Sequence, residues 1–136
     1  MTHWSSSIRI GDRMVGAGEP TYVIAEVGQN HNGDIGLARE MVAAAAAAGA
    51  DAVKFQTFQA DRLAVASAPK AAYQLRTTDP SESQVDMLRR LELSVDELRR
   101  LREHAHGHGI QFLSTPFDEV SADLLEELRV PAFKIA

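Results

Sequence analysis

The sequence predicts an α/β fold, on three observations. Short apolar runs of the kind that fill buried strands alternate with segments whose apolar residues recur at helical spacing. Most connections between them are only a few residues long, which suits strand, helix, strand units with parallel strands. Each run also ends in polar residues, and strand ends are where α/β folds put their chemistry. About four such units in 136 residues amount to the first half of a (β/α)8 barrel, a fold that needs about 250 residues. A four-stranded flavodoxin-like sheet is the rival architecture, but it would finish on a covering helix, and the last segment here reads as a strand.

The elements follow in order. Residues 8–16, IRIGDRMVG, alternate around Gly11 and Asp12 and predict a small β-hairpin. Residues 1–18 are read as this hairpin segment and residues 19–136 as the barrel half. The first barrel strand spans residues 22–28, and the polar loop 29–33 leads to a helix capped by Asp34. Leu37, Met41, Ala44 and Ala48 recur on that helix, and Gly49 is placed to close it. Its six consecutive alanines, 43–48, suit a helix lying close against a sheet. Residues 51–57 are the second strand. From Phe58 to Thr78 no period survives, the length of a functional loop or a floppy one. Ser81 with Gln84 resembles a capping box for a short helix carrying Val85, Leu88 and Leu91. Ser94 with Glu97 is a cleaner one, opening a helix with Leu98, Leu101 and Ala105 on one face and Gly109 beyond its end. Residues 110–115 are the third strand. Asp118 caps a helix carrying Val120, Leu124 and Leu128, Pro131 follows its end, and residues 132–136 are the fourth strand.

Composition narrows the function. Forty-five per cent hydrophobic residues support one genuine core. A net charge of −5 and the lack of any basic run exclude a sequence-independent grip on nucleic acid. The absence of cysteine excludes disulfides and thiolate zinc sites. Residues 1–7 lack a signal-peptide pattern and no apolar run reaches membrane-spanning length, so the expectation is a soluble cytoplasmic protein without a membrane partner.

The candidate site is built from charges in apolar strands. Glu26 is a carboxylate inside an apolar run, so it must be paired, protonated or open to a site. Side chains alternate along a strand, so Lys54 and Gln56 share one face of the second strand while Val53 and Phe55 pack on helices from the other. The same count turns Ile24, Glu26 and Gly28 inward. Lys134 stands alone between Phe133 and Ile135. One carboxylate does not neutralise two ammoniums, so an anionic ligand, phosphate or carboxylate, is expected, although an internal ion pair of Glu26 with a lysine is the plainer alternative. Ser114 and Thr115 add hydroxyls at the same level, of which alternation points one inward. His31 is either a ligand contact or proton carrier, or a donor that stabilises its loop. His104 and His108 have metal-like spacing, but with His106 they sit in a last helical turn, where partly cationic histidines suit the helix dipole.

Four blocks carry a resemblance: residues 24–33 (IAEVGQNHNG), 52–57 (AVKFQT), 112–117 (FLSTPF) and 131–135 (PAFKI). Together with residues 70–74 and 87–93 they resemble the sialic acid synthase family, from about Ile8 to the last residue. The resemblance implies a barrel enzyme, a transferase of nonulosonic acid biosynthesis, that condenses phosphoenolpyruvate with N-acetylmannosamine or a related amino sugar. Glu26 matches the family's catalytic glutamate, and Lys54, Thr115 and Lys134 match groups that hold phosphoenolpyruvate. Gln56 falls close to the metal and the sugar. The implied cofactor is a divalent metal, Mn2+ or Mg2+, whose ligands come from later strands outside this chain, and the implied assembly is a homodimer of the full-length protein. The chain alone is expected to be inactive. The competing expectations are a non-catalytic half-barrel that associates through its open strand edges, and a different phosphoenolpyruvate-dependent aldol-type synthase.

Overall fold

A computed structural model describes residues 6–64, Ala72, Arg76 and residues 81–136. The expected hairpin is present as β1 (Ser7–Ile10) and β2 (Arg13–Gly16), paired antiparallel as a sheet of their own. Gly11 takes the turn with φ +58, a conformation that costs glycine nothing. A second sheet holds β3 (Ile24–Gly28), β4 (Ala52–Thr57) and β5 (Gln111–Pro116), in that order and all parallel. Helix α1 (Ile35–Ala47) links β3 to β4. Helices α2 (Ala60–Leu63), α3 (Gln84–Leu91) and α4 (Val95–Gly107) lie between β4 and β5, and α5 (Glu119–Glu127) follows β5. The α/β class expected from the sequence is therefore observed. No helix among the described residues is long and apolar enough to cross a membrane.

Local chemistry explains most boundaries. Asp34 caps α1 by accepting from the N–H groups of Gly36 and Leu37 at 2.7 and 3.1 Å. Ser94 and Glu97 close a reciprocal capping box on α4, an arrangement whose loss costs about 1 kcal/mol. The cap of α3 is Ser83 rather than Ser81: its hydroxyl accepts from the Asp86 N–H at 3.1 Å. Asp118 caps α5 through Ser121 and also accepts from the Gln59 N–H at 3.0 Å, fastening the turn after β5 to the turn after β4. Glu92 secures the next residue, accepting from the Ala60 N–H at 2.9 Å. The unforeseen α2 begins at this doubly held point. The block 70–74 lies outside the described residues apart from Ala72.

The core sits between the sheet and helices α1, α4 and α5. Val27, Val53, Phe55 and Phe112 face Ala38, Val42, Leu98, Leu101, Ala105 and Leu125. Phe55 and Phe112 stack with centroids 5.5 Å apart. Full burial of side chains this size stabilises the fold by about 1.5 to 3 kcal/mol each. Helix α4 buries the expected Leu98, Leu101 and Ala105. Two helices keep part of the expected face, since Leu128 is buried and Met41 and Leu124 pack against the core, but their most buried positions lie one residue further on. On α1 the buried residues are Ala38, Val42 and Ala45, with Ala44 and Ala48 exposed, because an all-alanine segment has no polar face to define its orientation. On α5 they are Ser121 and Leu125, with Val120 38% exposed, because the Ser121 hydroxyl follows its bond to Asp118 at 2.8 Å into the interior.

The expected fourth strand is not formed. Residues 132–136 pair with nothing among the described residues, and Phe133 and Ile135 are 46% and 81% exposed. An apolar alternating sequence becomes a strand only when a neighbouring edge takes up its N–H and C=O groups.

Candidate active site

The parallel register brings the expected polar groups together. Glu26 lies opposite Lys54, and Gln56 opposite Thr115. Since Val53 and Phe55 are committed to the core, Lys54 and Gln56 point to the opposite face of the sheet, away from α1, α4 and α5. There the Lys54 ammonium forms an ion pair with Oε2 of Glu26 and donates to the Thr115 hydroxyl at 3.4 Å. The Lys54 side chain is 12% exposed and that of Glu26 49%, so the ammonium is sheltered and the carboxylate is open. Oε1 of Glu26 has no hydrogen-bond partner among the described residues. Carboxylate, ammonium, hydroxyl and amide thus lie on one side of the sheet near the carboxyl ends of three parallel strands, the carboxylate open and the hydroxyl buried beneath the ammonium.

Ser114 is placed on the other side. It is completely buried, and its hydroxyl shares a 2.7 Å hydrogen bond with the hydroxyl of Thr57. Of the two adjacent hydroxyls it is Thr115, itself only 2% exposed, that lies on the Lys54 side of the sheet, beneath the ammonium. Lys134 lies in the unpaired segment, exposed, and makes no hydrogen bond or ion pair with the described residues. The structure does not join it to Glu26, Lys54 or Thr115.

His31 is 1% exposed beneath the loop after β3, its ring 6.0 Å from that of Phe55. Its Nδ1 accepts from the Gly33 N–H at 3.0 Å, so the neutral ring carries its proton on Nε2. Nε2 is buried without a partner among the described residues. Burial pushes the imidazole below its ordinary pKa, with the Glu97 carboxylate opposing. These contacts make His31 an anchor of its own loop. The His104 Nε2–H donates to the Arg39 carbonyl across 3.2 Å, and the ring meets that of His108 edge-on. Asp118 shows the opposite tendency to a buried acid: burial would raise it, but the Ser121 and Gln59 N–H groups, the Ser121 hydroxyl and the Arg62 charge hold it below the usual carboxylate range.

The described residues do not by themselves suit a divalent metal. No three His, Cys, Asp or Glu side chains gather among them, and one oxygen of Glu26, the carboxylate of the cluster, is taken by Lys54. Sequence reasoning missed one further feature. The β3 and β4 register slips between Glu26 and Gly28, a bulge at the end of the strand, and Gly28 there has φ +55. A glycine directly after an apolar strand was the available signal.

Comparison with known proteins fits this geometry. Residues 41–136 match the NeuB family. The chain belongs to that family. It is 50% identical over 115 residues to the N,N'-diacetyllegionaminic acid synthase of Campylobacter jejuni, covering 85% of this chain and 34% of that protein. It is 49% identical over 120 residues to the enzyme of the same name from Legionella pneumophila, covering 88% and 34%. A crystal structure of N-acetylneuraminic acid synthetase from Leptospira borgpetersenii, in complex with citrate, superposes with a TM-score of 0.77 at 32% identity, over 99% of this chain and 42% of that one. The chain spans about a third of the length of the curated relatives it matches. These three relatives carry the names of nonulosonic acid synthases, as the sequence blocks imply.

Proposed function

We propose that the chain is the amino-terminal part of the (β/α)8 barrel of a synthase that joins phosphoenolpyruvate to an amino sugar. The observation that carries this reading is the convergence of Glu26, Lys54, Gln56 and Thr115 on the sheet face opposite the helices. The outer edges of β3 and β5 are unpaired among the described residues, and an open groove of about 350 Å³ lined by Met41, Ala44 and Ala48 runs beside β3. Both features suit a sheet that continues on either side and closes into a barrel.

In this reading Lys54 and the Thr115 hydroxyl bind the anionic groups of phosphoenolpyruvate, with Lys134 joining them once residues 132–136 are paired. An arriving phosphate or carboxylate competes for the ammonium and releases Glu26 to act on the acceptor. The enol carbon forms a bond to the aldehyde carbon of the open-chain sugar. The aldehyde oxygen takes up a proton, water adds at the carbon that carried the enol phosphate, the bond from that carbon to the phosphate oxygen breaks, and inorganic phosphate leaves with the nonulosonic acid. A divalent metal, Mn2+ or Mg2+, would supply Lewis acidity at the aldehyde, held by residues outside this chain. The reading extends to a homodimeric, cytoplasmic full-length enzyme. Two relatives near 50% identity support a diacetamido sugar, the precursor of a legionaminic acid, as acceptor.

Calorimetric titration of the full-length protein with phosphoenolpyruvate tests the reading. Lys54→Ala and Lys134→Ala should each weaken binding at least tenfold, a loss expected of one charged contact; unchanged affinity in both would refute it. Assays with N-acetylmannosamine and diacetamido acceptors then identify the sugar.

A further inference from the structure

We propose that Gly28 is a positioning residue whose missing side chain sets the place of the Glu26 carboxylate beside the Gln56 amide. The inference rests on the reading of Glu26 and Gln56 as site residues. A β-carbon built on Gly28 would lie 3.0 Å from Oε1 of Glu26 and 3.4 Å from Nε2 of Gln56. Oε1 is the oxygen that Lys54 does not hold. The bulge between Glu26 and Gly28 brings the backbone of residue 28 under these two groups, and the φ of +55 orients it there. Bulges near functional sites commonly re-aim a side chain in this way. A methyl group at this point would push Oε1 aside by a few tenths of an ångström while Oε2 remains tied to Lys54. The carboxylate would rotate away from the position in which it meets a ligand, although every polar group of the site is still present.

The structure also supplies the control. Gly49 has φ +83, and a β-carbon there would meet nothing within 4 Å. Gly49→Ala therefore carries the backbone strain of an L side chain at positive φ without the crowding. In the full-length synthase both alanine variants should lower Tm comparably. Gly28→Ala should in addition lower kcat about tenfold, since sub-ångström misplacement of a reacting group is costly, while the KM for phosphoenolpyruvate stays within about threefold because Lys54 and Thr115 keep their places. Gly28→Asn tolerates positive φ better than alanine but still carries a β-carbon, so it should regain Tm and not kcat. Equal kcat losses in Gly28→Ala and Gly49→Ala, or recovery of kcat in Gly28→Asn, would overturn the proposal in favour of strain alone. If the wild-type protein makes no product with any acceptor, the functional reading fails instead. The role of Gly28 is then decided by the Glu26 carboxyl 13C resonance of this chain, assigned by its loss in Glu26→Gln. Gly28→Ala should move it and Gly49→Ala should not; an unmoved resonance in Gly28→Ala overturns the proposal.

Discussion

Two acid and base pairs flank β4, and they are finished differently. Ahead of the strand, Asp51 uses both carboxylate oxygens: Oδ1 pairs with Arg13 of the hairpin, and Oδ2 accepts from the Val23 N–H at 2.8 Å. Its side chain is 17% exposed, and the Arg13 guanidinium also lies 5.9 Å from the centre of the Tyr22 ring. Within the strand, Lys54 and Glu26 pair through one carboxylate oxygen, and the other has no partner among the described residues. A pair with both carboxylate oxygens engaged fixes structure, whereas one with a spare oxygen beside a sheltered ammonium can exchange partners when an anion arrives. The difference separates the end of the sheet that latches the hairpin from the end that, in the proposed function, receives the ligand.

The largest effect that tests this contrast is on turnover. Lys54→Ala in the full-length protein should lower kcat/KM for phosphoenolpyruvate by more than about 100-fold, with little change in Tm; retained turnover would break the comparison. Asp51→Ala should do the reverse. It leaves the Val23 N–H and Arg13 without their acceptor and should cost about 2 kcal/mol of stability in urea unfolding, with phosphoenolpyruvate affinity unchanged in titration. Ser114→Ala strands the buried Thr57 hydroxyl and should cost about 1 kcal/mol, again without altering affinity. A loss of affinity in Ser114→Ala would show that Ser114 reaches the ligand side.

His31 sharpens the comparison through pH. Its pKa is lowered in the fold, so the unfolded chain binds the proton more readily and stability rises with pH. The contribution of His31 is present above the unfolded value near 6.5 and is lost as pH falls below it. Urea unfolding between pH 7.5 and 5.5, approximate bounds on either side of the histidine range, should show a steeper decline for the wild type than for His31→Asn. Parallel curves would show that His31 is not the group responsible.

Much of this was legible before any coordinates. Lys54 and Gln56 share a face because Val53 and Phe55 are apolar and residue alternation leaves no other choice. The caps Asp34, Ser94 with Glu97, and Asp118 stood in the sequence three or fewer residues from the helix N–H groups they cap. The buried faces of α1 and α5 were not legible, since alanine gives no contrast between faces and Ser121 reads as a surface residue until its bond to Asp118 is known. The choice of Thr115 over Ser114 also escaped, because both are hydroxyls and the strand's phase is fixed by its partner.

The sequence by itself determined the order of elements, their caps and the alternation that sets a lysine and a glutamine against a core of Val53 and Phe55. Tertiary structure alone decided that Lys54 meets Glu26 and a hydroxyl 61 residues away, that β3 bulges at Gly28, and that residues 132–136 stay unpaired among the described residues. Caps and periodicity act over one or two turns and are written in adjacent letters. Register and pairing depend on which distant backbone supplies the hydrogen bonds, and that is fixed only when the strands are brought together.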